Sequence, residues 1–238
     1  MRNKIGIFDS GIGGLTTLEE IRKLLPNESY IYYADSKHNP YGEKSDEELY
    51  KIVKDIVNKL LEKKVKIIVI ACNTATTRCI EKLRNDYPKV LFVGTEPAIK
   101  VACDNGYNNT IVMATPGTIA SERIHDLISK NQRENQNIYL LPCEGLANAI
   151  ETNDLKRVSK LLHEYLDEYK DKNVDSVVLG CTHYPHIKKK ISNILPNVKL
   201  IDGNIGVANR VKYLLEKNKL INKSKKTGTL EIINSNNE

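Results

Sequence analysis

A chain of 238 residues that is 40% hydrophobic and 28% charged has the composition of a soluble globular protein with room for one large core or two small ones. No run approaches the ~18 to 20 apolar residues of a membrane helix, and Met1-Arg2-Asn3-Lys4, followed at once by Ile5-Gly6-Ile7-Phe8, has no secretory apolar region. The net charge of +6 gathers in Lys188-Lys189-Lys190 and in Lys217, Lys219, Lys223, Lys225 and Lys226 without interleaved aromatics, which reads as solvated helix faces and a soluble tail rather than a nucleic-acid surface.

In chain order, β-branched apolar runs at 4–8, 30–34, 65–71, 90–94, 110–114, 138–142, 174–180 and 198–201 alternate with helix-like stretches. The helix-like stretches include 45–63, 118–130 and 154–170, the last with Asp154 as its N-cap. Such alternation predicts an α/β fold with mainly parallel sheets. The order also repeats at nearly constant spacing: Ile5 to Ile111 is 106 positions, Tyr30 to Ile138 is 108, Cys72 to Cys181 is 109 and Val90 to Val198 is 108. We therefore expect two pseudo-symmetric, doubly wound α/β domains, with the active site in the cleft between them. Their boundaries are set at 1–96 and 97–206, with 207–221 returning to the first domain and 222–238 a polar, frayed tail.

Chemistry in open α/β sheets sits beyond the carboxyl ends of strands, and two cysteines occupy such places. Val65–Ala71 leads into Cys72-Asn73-Thr74, and Val174–Gly180 leads into Cys181-Thr182-His183-Tyr184-Pro185. Two thiols at equivalent strand ends suggest a pair working on one substrate from opposite sides. Cys79 and Cys103 fall inside helix-like stretches and read as buried small hydrophobes, and Cys143 is assigned to packing. Five cysteines cannot all pair and form no dense pattern, so a reducing, cytoplasmic compartment is expected.

Asp9-Ser10-Gly11-Ile12-Gly13-Gly14 follows the first strand and opens a helix. Its spacing is not that of a dinucleotide-binding loop, and Asp9 would repel a phosphate; a carboxylate-bearing ligand whose ammonium meets Asp9 fits better. Cys72 also begins a Cys-x5-Arg pattern ending at Arg78, the loop of cysteine-dependent phosphatases. Residues 73–77 hold no glycine to wrap a phosphate, and that reading leaves Cys181 unexplained. Cys181, His183 and His186 lack a partner pair for structural zinc, so no metal is expected and His183 is read as a base or orienter beside Cys181. Pro40-Tyr41-Gly42 reads as a fixed loop whose Tyr41 covers a pocket.

Asp9-Ser10-Gly11-x-Gly13-Gly14, Pro40-Tyr41-Gly42, Ala71-Cys72-Asn73-Thr74-Ala75 and Gly180-Cys181-Thr182-His183-Tyr184-Pro185 together resemble the glutamate racemases of the aspartate/glutamate racemase superfamily, over residues 4 to about 215. The resemblance implies cofactor-independent interconversion of L- and D-glutamate for peptidoglycan synthesis by proton exchange at Cα. Cys72 would act on the D-isomer and Cys181 on the L-isomer, with Asp9 and His183 as proton-tuning partners. Asp9, Ser10, Tyr41, Gly42, Asn73, Thr74, Thr182 and His183 would bind the substrate, and the state would be a homodimer with no nucleic-acid or membrane partner. The family's acidic residue after the sixth strand has its nearest counterpart in Ile150-Glu151, within a divergent stretch, and no role is assigned to Glu151. Aspartate racemase shares the paired cysteines, and a duplicated binding module is the alternative from another class; it would have no use for a thiol in both halves.

Overall fold

The computed structural model describes residues 4–238; Met1–Asn3, read above as lacking a secretory leader, lie outside the described residues. The chain forms two compact units, one running to Thr95 and resuming over Asn204–Glu238, the other Glu96–Gly203.

In the first unit β1 (Lys4–Asp9), α1 (Leu15–Leu24), β2 (Ser29–Ala34), α2 (Asp46–Glu62), β3 (Val65–Ile70), α3 (Asn73–Asp86) and β4 (Phe92–Gly94) follow one another. The second unit repeats the scheme with α4 (Ile99–Asp104), β5 (Asn109–Ala114), α5 (Pro116–Ile119), α6 (Glu122–Asn131), β6 (Asn137–Pro142), α7 (Leu146–Glu151), α8 (Leu155–Leu166), β7 (Ser176–Leu179), α9 (Lys188–Ile194) and β8 (Lys199–Ile201). The chain then returns as α10 (Asn204–Lys217) and ends in β9 (Leu230–Asn234). All strand pairs are parallel, in the orders β4-β3-β1-β2-β9 and β8-β7-β5-β6. Leaving β9 aside, the two orders are the same, fourth-third-first-second, as the repeated spacing predicts.

Burial on both faces explains the continuous apolar strands. Phe8, Ile31, Ile68 and Ile70 pack under α2 and α3, while Ile5, Ile7, Ile67 and Val69 pack under α1 and α10. In the second unit Ile111, Met113, Val177 and Leu179 face α7, α8 and α9, and Val112 and Val178 face α4 and α6. The expected helix 118–130 is broken at Ala120–Ser121, because Thr115 and Ser121 both adopt extended backbone and each starts a helix of its own. Asp154 does cap α8, accepting from the Arg157 N–H at 3.0 Å. The return to the first unit begins at Asn204, whose side-chain carbonyl accepts from the Thr17 hydroxyl of α1 at 2.7 Å. Among the described residues no helix is long and apolar enough to cross a membrane.

The tail also departs from the sequence reading. Residues 222–238 are not frayed: β9 pairs with β2 from Tyr30↔Leu230 to Ala34↔Asn234. The approach is anchored by a buried ion pair, in which Lys66 Nζ donates to Glu28 Oε2 at 2.5 Å and to the Leu220 carbonyl at 2.7 Å, while Glu28 Oε1 accepts from the Asn222 N–H at 2.8 Å. Gly228 then passes so close to the Glu28 carbonyl that a Cβ would lie 1.7 Å from its oxygen. On the outer edge Glu231 pairs with Lys4 and Lys63, each at 2.8 Å, and Glu238 with Lys59 at 2.6 Å and the Tyr33 hydroxyl at 2.7 Å.

Hydrogen bonds from Lys4 and Lys63 hold the Glu231 carboxyl below its ordinary value, and those from Lys59 and Tyr33 do the same for Glu238. Folded values that are depressed mean stability present above the ordinary carboxyl range and lost as pH falls through the folded values. Hydrogen-exchange protection over 230–234 should therefore drop severalfold on acidification below about pH 4.3, while β3 stays protected. Glu231→Gln should reproduce part of that loss at neutral pH.

Candidate active site

In both sheets the strand order reverses direction between the first and third strands, which opens a crevice at their carboxyl ends. Backbone bonds align these ends in the same way: the Ala71 N–H donates to the Phe8 carbonyl at 2.8 Å, and the Gly180 N–H to the Met113 carbonyl at 2.7 Å. Cys72 and Cys181 are thus each one residue beyond equivalent bonds. Gly180 is required by the close approach, since a Cβ would stand 2.8 Å from the Met113 carbonyl oxygen.

In the first unit Cys72 is the N-cap of α3, its Sγ accepting from the Ala75 N–H at 3.5 Å. A helix N-terminus favours the thiolate. The Cys72 thiol also donates toward Ser10 Oγ at 4.0 Å. Asp9, wholly buried at the end of β1, accepts from the Gly11 and Gly14 N–H groups, both at 3.1 Å. The turn is tight enough that a Cβ on Gly14 would lie 2.8 Å from both the Asp9 and the Ala71 Cβ atoms. Asn73 and Thr74 are buried in the first turn of α3, where Asn73 Nδ2 donates to the Thr95 carbonyl at 3.4 Å. Tyr41, also buried, donates its hydroxyl proton to Asp35 Oδ2 at 2.7 Å. Burial and then the Asp35 carboxylate drive the Tyr41 hydroxyl well above its ordinary value, with Cys72 and Asp9 adding to the effect.

Arg78 settles the phosphatase alternative. It lies on α3 and points away from the thiol, donating to the carbonyls of Tyr41 at 3.3 Å and Lys44 at 2.7 Å and to Asp46 Oδ1 at 2.6 Å. Its work is to fasten the loop that follows Pro40.

In the second unit Cys181 Sγ is 3.7 Å from His183 Nδ1, and His183 Nε2 is 2.6 Å from Glu151 Oε2. Both ring nitrogens of His183 are thereby engaged, Nε2 donating to the Glu151 carboxylate and Nδ1 facing the Cys181 sulfur. Glu151, at the end of α7, is the contact at this site that sequence reasoning left without a role; its signal was an acidic residue after the sixth strand, obscured by the divergent stretch around it. Thr182 is buried beside Cys181. His186 is exposed, and among the described residues no group of three or more His, Cys, Asp or Glu side chains converges to hold a metal.

Burial acts directly on the remaining thiols. It pushes the Cys79 thiol up to about 12 and raises those of Cys103 and Cys143. At all three, burial favours the neutral thiol.

A sequence profile described as Asp/Glu/Hydantoin racemase matches residues 15–210. A glutamate racemase of Clostridium novyi is 45% identical over 240 residues, spanning 98% of this chain and 92% of its own length. Among solved structures, glutamate racemase from Francisella tularensis in complex with D-glutamate superposes with a TM-score of 0.83 at 34% identity, covering 98% of this chain and 88% of that one. The Escherichia coli glutamate racemase in complex with L-glutamate and an activator, UDP-MurNAc-ala, gives a TM-score of 0.84 at 31% identity, with 98% and 89% covered.

Replacing Glu151 by Gln keeps the shape of the His183 contact and removes its charge. A charge-assisted hydrogen bond of about 1.5–3 kcal/mol converts to a roughly ten- to hundredfold loss of Cys181 reactivity toward iodoacetamide at neutral pH, read by mass spectrometry. Cys72 should label at its unchanged rate.

Proposed function

This chain belongs to the Asp/Glu/hydantoin racemase family and is an amino-acid racemase that interconverts L- and D-glutamate without a cofactor, and on that basis we propose that Cys72 and Cys181 are its two proton-transfer groups. The observation that carries the proposal is the placement of one thiol at the same switch point of each unit, each beside a group suited to managing its proton. Two groups are needed because a single base returns the proton to the face it came from.

In the D-to-L direction the Cys72 thiolate removes the Cα proton, and the electron pair left on carbon is delocalised into the α-carboxylate. The Cys181 thiol delivers its proton to the opposite face, which leaves Cys72 as thiol and Cys181 as thiolate. The L-to-D direction runs this in reverse. Asp9 serves the Cys72 side, and His183, held by Glu151, serves the Cys181 side. A free thiol with a value near 8.5 needs such help to act as a base at neutral pH.

The Cα proton is so weakly acidic that the carbanion-like state must be stabilised by hydrogen bonds in a site that excludes water. Ser10, Asn73, Thr74 and Thr182 are the proposed donors to the α-carboxylate, with Tyr41 and Gly42 completing the pocket. D-Glutamate made in this way supplies peptidoglycan synthesis. A cytoplasmic location and a homodimeric state belong to the same proposal. Five free cysteines support the location, and sedimentation tests the dimer.

The decisive experiment follows racemisation of each enantiomer in deuterated water without added cofactor. Wild type should place deuterium at Cα of the product. Cys72→Ser and Cys181→Ser should each lose racemisation by at least about 10²–10⁴-fold, with any residual exchange in Cys72→Ser confined to L-glutamate. Turnover surviving either substitution would defeat the two-thiol reading.

A further inference from the structure

Cys72 caps the first turn of α3, and that turn is tied to the sheet through a buried hydroxyl. Thr76 is wholly buried, and its N–H closes the turn on the Cys72 carbonyl at 2.9 Å. Its hydroxyl donates its one proton to the carbonyl of Ile70, the last residue of β3, at 3.2 Å. The same oxygen accepts from the N–H of Thr95, one residue beyond β4, at 3.1 Å. The Thr95 N–H also reaches the Ile70 carbonyl at 3.1 Å, so three polar atoms close a triangle at the carboxyl ends of two strands.

The other arm of Thr76 is fixed as well. Its Cγ2 lies against Gly94, where a Cβ would overlap it and would stand 2.7 Å from Ile80 Cδ1. A β-branched side chain has few rotamers, and here both branches have an assigned place. Yet the sheet does not need the hydroxyl. The Thr95 N–H and the Ile70 carbonyl already satisfy each other, so its removal would orphan neither.

We infer that Thr76 is a positioning residue for Cys72: its hydroxyl, locked between the ends of β3 and β4, holds the first turn of α3 so that the Ala75 N–H stays on the Cys72 sulfur. The inference rests on the assignment of Cys72 to proton transfer made above. The Ala75 contact is 3.5 Å long, and a hydrogen bond weakens steeply as its angle closes. A turn free to rock would lose that contact before it lost its helix. The triangle also sets the place of Asn73, whose amide reaches the Thr95 carbonyl at 3.4 Å.

Thr76→Val keeps the shape of the side chain and tests the hydroxyl alone. It puts a methyl where oxygen now stands 3.2 and 3.1 Å from its partners, closer than the ~3.5–4.0 Å at which carbon packs. The turn must move outward. Racemisation should fall roughly ten- to hundredfold, the scale of an ångström-sized misplacement. Iodoacetamide labelling of Cys72 should slow about three- to thirtyfold, the range of a charge effect at a helix terminus. Cys181, whose sulfur faces His183, should label at its wild-type rate. Thr76→Ser keeps the hydroxyl and should restore both rates.

Gly94→Ala approaches the same turn from the other side, with the hydroxyl intact. Its Cβ should push Thr76 Cγ2, displace the turn and slow Cys72 labelling. Adding Thr76→Ser removes Cγ2 and should recover that labelling, a coupling that independent sites would not show.

The inference is overturned if Thr76→Val leaves Cys72 labelling and racemisation unchanged, if Thr76→Ser is as impaired as Thr76→Val, or if Cys181 slows in step with Cys72. Should Thr76→Val unfold the chain, Cys79 and Cys103, both buried in the native protein, would label too. The Gly94→Ala pair then decides, and a double variant no better than Gly94→Ala overturns the inference. Labelling does not use turnover, so a wild type that fails to racemise glutamate strikes the two-thiol mechanism and leaves the Thr76 test standing.

Discussion

Everything chemical in this molecule depends on one constraint of parallel sheets. Every strand in each sheet runs the same way, so all of them release their chain at the same edge, and the reversal of order between the first and third strands parts the following helices there. Asp9 and Cys72 flank that point in one unit, and Thr115 and Cys181 in the other. The apolar strands behind them are buried on both faces and leave little freedom in register. A one-residue slip at β3 or β7 would turn the thiol to the other face of its sheet. Precision at the site is thus inherited from the core.

That inheritance is why the strands and both cysteine motifs are legible in the sequence. Eight runs of β-branched residues mark eight strands because double-sided burial demands continuous hydrophobicity. Spacing alone exposes the duplication. What is hidden depends on single polar contacts. β9 carries only Leu230, Ile232 and Ile233 as apolar residues within an Asn-, Ser- and Lys-rich stretch; Ile232 is largely exposed. Pairing with β2, the Glu28–Lys66 anchor and edge carboxylates order it, and none of these leaves a periodic signal. The break at Ala120–Ser121 is hidden for a similar reason: it follows from two extended caps in a stretch whose hydrophobicity runs on.

The five cysteines show how completely environment decides chemistry. Cys79 and Cys103 lie within helices against apolar neighbours, and Cys143 beyond β6 is enclosed with Tyr184, so burial favours the neutral thiol at all three. Cys72 and Cys181 are nearly as enclosed by area. They differ in what faces the sulfur: a backbone N–H at the start of a helix, or an imidazole backed by a carboxylate. Accessible area alone does not separate the two groups; placement at a strand end, against a helix N-terminus or an imidazole, does.

The two halves share their topology but not their proton chemistry. On the Cys72 side the polarity is fixed: backbone N–H groups and a carboxylate that accepts two of them. On the Cys181 side it comes from two side chains, the His183 imidazole at the sulfur and the Glu151 carboxylate behind it. Enantiomers in water have equal free energy, so neither direction of a racemisation is driven. Duplication provides two equivalent places for sulfur. The two strand-end loops thus hold sulfur at equivalent places through different contacts, a backbone N–H at one and an imidazole backed by a carboxylate at the other.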